Sequence, residues 1–144
     1  MFYKQRSLMF LCKRTKKHLL LNGFRNVVAR NFQKIDDRSD KGPLLGNIVF
    51  CDLLKGDYNV KYWRTKSQAE VDFIIEEGKN IIPVEVKSFL AKPVLSRSII
   101  NFLQKYKSPA GIVFSTSLIA RRDLSDKKII FLPHFLNIPK NFPG

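Results

Sequence analysis

The sequence predicts a mixed α/β layer fold, a mixed central sheet flanked by helices, on three observations. A helical apolar stripe opens at Pro43, two alternating apolar segments flank Gly78-Lys79, and a nearly unbroken apolar run fills Ala110 to Ser115. Periods of 3.6 and 2 in one chain mean that helices and strands share a core. The chain's 144 residues suffice for one such core, because a chain of this size buries roughly 70% of its unfolded surface.

Each element has its own local reason. Pro43 suits a first helical turn, and Leu44, Leu45, Ile48, Val49, Leu53 and Leu54 follow at helical spacing until Gly56. Asn59 to Arg64 alternates as a strand, and Glu70 to Glu77 and Asn80 to Ser88 make two stronger ones. Pro93 opens a second helical pattern through Ile99, Ile100, Leu103 and Tyr106, ended by Ser108-Pro109. Ala110 to Ser115 reads as a strand buried inside a sheet. Lys128 to Leu132 is a last strand before a Pro-rich tail. The order is helix, three strands, helix, strand, strand. Three segments follow: a basic N-terminal piece over 1–41, the α/β domain over 42–136, and the tail over 137–144.

Charge narrows the partners. Lys and Arg number 26 against 12 Asp and Glu, a net charge of +14. Residues 1–41 hold eleven basic and three acidic side chains, 42–91 six and seven, and 92–144 nine and two. Two basic ends around a slightly acidic middle suggest positive walls beside a carboxylate site, and solvated surface lysine gives the same totals. The excess favours a polyanion, with DNA the expected partner. Lys13, Arg14, Lys16 and Lys17 form one basic cluster, and Arg64 and Lys66 follow Tyr62 and Trp63, a mix suited to phosphates and bases. Strand aromatics are more often core. No apolar stretch approaches 18 residues, so no membrane span is expected. Cys12 and Cys51 form no CxxC pair and read as reduced core thiols of a cytoplasmic protein.

The chemistry concentrates in the hairpin. With Gly78-Lys79 as a two-residue turn, Gly supplying the positive φ, Glu77 faces Asn80. Val71–Val86, Phe73–Val84 and Ile75–Ile82 then pair on one face, all apolar, which supports the register. The other face pairs Glu70 with Lys87, Asp72 with Glu85, and Ile74 with Pro83. Opposed carboxylates repel unless one is protonated or a cation lies between them, which points to a metal site. A solvated face of alternating charges would give the same triplets.

Asp72 followed by Glu85-Val86-Lys87 on a hairpin resembles the PD-(D/E)XK motif of restriction-endonuclease-like nucleases. A wider set resembles the C-terminal nuclease-like domain that follows the P-loop module in archaeal and bacterial AAA-type ATPases. It comprises Asn22-Gly23-Phe24-Arg25-Asn26, the stretch from Gly42 to Phe50, Tyr62-Trp63-Arg64-Thr65-Lys66, Ala69 to Phe73, Ile82 to Lys87, and Phe102 to Lys107. The similarity runs from about Leu8 to Leu136.

The resemblance implies a restriction-endonuclease-like core, with residues 1–41 the remnant of a linker or winged-helix region. It implies a Mg²⁺-dependent, or Mn²⁺-dependent, endonuclease that binds and cleaves DNA. Asp72 and Glu85 would hold the ion with the Val86 carbonyl, Lys87 would orient water, and Glu70 would support them. The family usually has Glu where this chain has Gly46, so the third carboxylate is missing. The sequence contains no G-x-x-x-x-G-K-[ST], so no nucleotide chemistry is carried over, and an AAA-type ATPase chain in trans is the implied protein partner. The alternative is a catalytically inactive nucleic-acid-binding, regulatory or interaction module that keeps the fold.

Overall fold

The computed structural model describes residues 26, 27, 30–65, 69–139 and 142. One six-stranded mixed sheet lies between two helices. The elements are α1 (Lys41–Lys55), β1 (Asn59–Arg64), β2 (Glu70–Glu77), β3 (Asn80–Val86), α2 (Arg97–Lys105), β4 (Ala110–Ser115), β5 (Ala120–Leu124) and β6 (Lys127–Pro133). The strand order is β1-β2-β3-β4-β6-β5. β1, β2 and β3 form an antiparallel meander, β4 runs parallel to both β3 and β6, and β5 closes the far edge antiparallel to β6.

Alternation along the strands sends side chains to two cores. On the α1 side, Val49, Phe50 and Leu53 pack on Phe73, Ile75, Ile82, Val84, Ile112 and Phe114, and Ile138 and Phe142 join them. On the α2 side, Ile99 and Leu103 meet Val113, Ile129 and Phe131, while Phe102 meets Trp63, Val71 and Ile74. β4 is buried along its whole length, as its unbroken apolar run demands. Gly111 on β4 admits α2 closely, since a Cβ there would lie 3.3 Å from Ile129 Cδ1 and 3.5 Å from Ile99 Cδ1.

Three sequence expectations are corrected. α2 starts at Arg97 rather than at Pro93, because Ser96 caps it by accepting the Ile99 N–H at 3.2 Å. β5 was not expected: Ala-Arg-Arg-Asp-Leu is too polar to read as a strand, and it forms only as an edge on β6 through the turn at Ser125 (φ 57°). Val71 does not share a face with Phe73 and Ile75, since it lies in the α2-side core.

Candidate carboxylate–lysine site

A β-bulge displaces Val71. The β1–β2 register passes from Lys61↔Ile74 to Trp63↔Val71, so Tyr62 alone opposes both Phe73 and Asp72. One extra residue on β2 reverses the facing of everything before it and re-aims the bulged side chain. Tyr62 fills the inside of the bend against Phe73, ring centroids 5.4 Å apart, and burial pushes its hydroxyl pKa up to about 12.

The hairpin register itself is as expected. Gly78 has φ +60° at the first turn position, and the pairs run from Glu77↔Asn80 to Phe73↔Val84. The further pairs expected, Asp72 with Glu85, Val71 with Val86 and Glu70 with Lys87, are not among them. Beyond Phe73, the Asp72 side chain takes over from the main chain: Oδ2 accepts the Val86 N–H at 2.8 Å. The bulge thus converts a ladder hydrogen bond into a carboxylate contact.

Glu85 lies on β3 with 7% of its surface exposed. Its Oε1 is 2.7 Å from Lys87 Nζ, and its Oε2 accepts from Ser96 Oγ at 2.9 Å. The loop leaving β3 therefore begins and ends on one carboxylate. Sequence reading missed Ser96; the preference of helix N-caps for serine is the signal that marks it.

Electrostatics divide the pair. Burial pushes the Asp72 carboxyl above the usual carboxylate range; the Val86 N–H and Lys87 oppose this, and the charges of Glu85 and Glu70 add to it. Burial alone would lower the Lys87 ammonium, but its hydrogen bond to Glu85 and the charges of Glu85 and Asp72 prevail and raise it. Lys87 is ion-paired with Glu85, and the charge of Asp72 acts on it as well.

The other expected site residues lie further out. Glu70 is exposed and turns to Arg64, with Nε 3.6 Å from Oε2. Trp63 is buried and donates its Nε1–H to Tyr106 Oη at 2.9 Å, so it is core rather than a base platform. Lys66, Lys13, Arg14, Lys16 and Lys17 lie outside the described residues. Gly46 begins the inward stripe of Val49, Phe50 and Leu53 but is only half-buried, and a Cβ there would meet nothing within 4 Å.

Magnesium or manganese would need deprotonated oxygens with room for water. Both Glu85 oxygens are engaged, Asp72 Oδ2 already accepts the Val86 N–H, and no group of three His, Cys, Asp or Glu assembles among the described residues. As it stands, this donor set does not fit a resident divalent ion.

A family model described as a domain of unknown function, DUF4143, matches residues 41–135. No curated protein matches. Among solved structures, the chain is similar to one in a refined half-complex from a tetradecameric assembly of Thermococcus gammatolerans McrB AAA+ hexamers with bound McrC. The TM-score is 0.45 and the identity 12%, over 62% of this chain and 27% of that one. The present chain therefore spans about a quarter of that chain's length.

Proposed function

This chain belongs to the DUF4143 family, and from that premise and its site geometry we propose a nucleic-acid-binding module whose carboxylate–lysine site is closed and does not cleave. One observation carries the second half: Glu85 spends one oxygen on Lys87 and the other on Ser96, so the cation position is filled from within the chain. The chain's net charge of +14 supports the first half, because so basic a chain attracts phosphate backbones irrespective of sequence. An AAA-type ATPase acting in trans, implied by the resemblance, belongs to the same reading.

A second reading, phosphodiester cleavage, is favoured by the order Asp72, Glu85, Lys87 on one hairpin, the arrangement the nuclease resemblance implies. It lacks the third carboxylate at Gly46 and an unengaged Glu85.

A salt titration tests the binding. If about six phosphates are neutralised, affinity for an oligonucleotide falls roughly a thousandfold between about 50 and 200 mM salt. A flat titration, or no binding at low salt, would remove the nucleic-acid reading.

A further inference from the structure

From Val86 to Arg122 the chain carries seven Lys and Arg and no Asp or Glu. Two loops in this stretch lie side by side, the one joining β3 to α2 and the one joining β4 to β5. Thr116 Oγ1 donates to the Ser88 carbonyl at 3.1 Å, and Arg122 Nη1 donates to the Pro93 carbonyl at 3.1 Å. Leu90, Leu95 and Leu118 turn inward onto the α2-side core. Their sequence neighbours turn outward: Phe89 is 66% exposed, Val94 61% and Ile119 68%. Three large apolar side chains pointing to water from two hydrogen-bonded loops, whose inward half already packs, add nothing to the core and are available for contact.

The first loop is held in place. Lys87 grips Glu85 at its start and Ser96 grips it at its end. The Phe89 ring therefore stands on a fixed loop, two residues beyond Lys87 and with Lys92 and Arg97 on the same acid-free segment.

We propose that this two-loop surface selects single-stranded nucleic acid, an unpaired base stacking on Phe89 while neighbouring phosphates meet Lys92 and Arg97. The inference rests on the nucleic-acid reading and adds the form of the strand. An exposed ring needs the face of a base, and a duplex offers none because its bases are already stacked on each other. An anionic bilayer fits less well. Interfacial binding draws on an outward amphipathic face, whereas α2 turns its apolar residues Ile99, Phe102 and Leu103 into the fold.

The test is fluorescence anisotropy at fixed salt with a labelled mixed-sequence oligonucleotide, alone and annealed to its complement. The single strand should bind tighter. Phe89→Ala should weaken single-strand binding roughly tenfold, the size of one lost base–aromatic stack, and leave duplex binding and melting temperature unchanged. Phe89→Trp should restore it. Equal affinity for both forms with Phe89→Ala silent would overturn the stacking platform and leave general nucleic-acid binding standing. Binding to neither oligonucleotide, with Phe89-dependent capture on phosphatidylserine vesicles, would overturn both.

Discussion

The hydroxyl of Ser96 lies 2.9 Å from Oε2 of Glu85 while accepting the N–H of Ile99. One side chain thus joins the candidate site to the first turn of α2. Ser96→Ala should cost about 1 kcal/mol as a lost N-cap, and somewhat more because a buried carboxylate loses a donor. Ser96→Asp separates these effects. Aspartate caps helices as well as serine does, yet here it would place a second carboxylate against Glu85. Urea unfolding should therefore rank Ser96→Asp below Ser96→Ala at neutral pH; the reverse order would mean that only the cap matters.

Lys87→Met should destabilise the protein by about 1–2 kcal/mol. That is below the 3–5 kcal/mol typical of a broken buried pair, roughly, because the Lys87 side chain is 45% exposed and water screens it. The Lys87 pKa is raised in the folded state, so its contribution is complete below its ordinary value of 10.5 and is lost as pH rises through the folded value. Melting curves of parent and variant should converge in strongly alkaline buffer. A gap independent of pH would show that packing of the lysine stem, not its charge, holds the loop.

Asp72 behaves in the opposite sense from most structural carboxylates. Its folded pKa lies above the ordinary 3.8, so its favourable contribution is complete below that value and is lost as pH rises through the folded value. Asp72→Asn keeps an oxygen for the Val86 N–H and removes the charge. It should melt higher than the parent at neutral pH, and the difference should shrink on acidification toward pH 3.8. A variant that melts lower at neutral pH would show that the ionised carboxylate stabilises the bulge.

Gly46→Glu restores the carboxylate that the resemblance implies. Glycine in a helix interior costs about 0.5–1 kcal/mol relative to alanine, and the open space at Gly46 accepts a side chain. One turn on, Phe50 stacks on Phe73 with ring centroids 5.8 Å apart, which carries this stripe of α1 toward the bulge beside Asp72. The variant should bind Mn²⁺ more tightly than the parent in calorimetric titration. On the cleavage reading it also gains plasmid cleavage that Lys87→Ala in the same chain removes; on the closed-site reading, with Glu85 still held by Lys87 and Ser96, it gains none. Unchanged Mn²⁺ affinity would place that end of α1 away from the hairpin.

Most elements were legible because their signals are local. The apolar alternation of β2 and β3 around Gly78 set the hairpin register, and the unbroken run Ala110–Ser115 marked the buried strand. What escaped was set by neighbours. β5 exists because β6 offers it an edge, not because Arg121 and Arg122 favour a strand. The bulge at Asp72 depends on Tyr62 standing across from two residues, which no periodicity within β2 reveals. The pairing of Asp72 with Glu85 was therefore anticipated as two residues face to face. They are instead neighbours across a splayed strand end, one on Val86 and one on Lys87 and Ser96.

A single gel tests the central claim most directly. Supercoiled plasmid is incubated at low salt with the parent chain and with Mg²⁺ or Mn²⁺, and mobility shift and nicking are read together. A closed, nucleic-acid-binding site predicts a protein-dependent shift with no nicking above the protein-free control. Metal-dependent nicking that disappears in Asp72→Asn would contradict the closed site, and the absence of any shift would contradict the binding module.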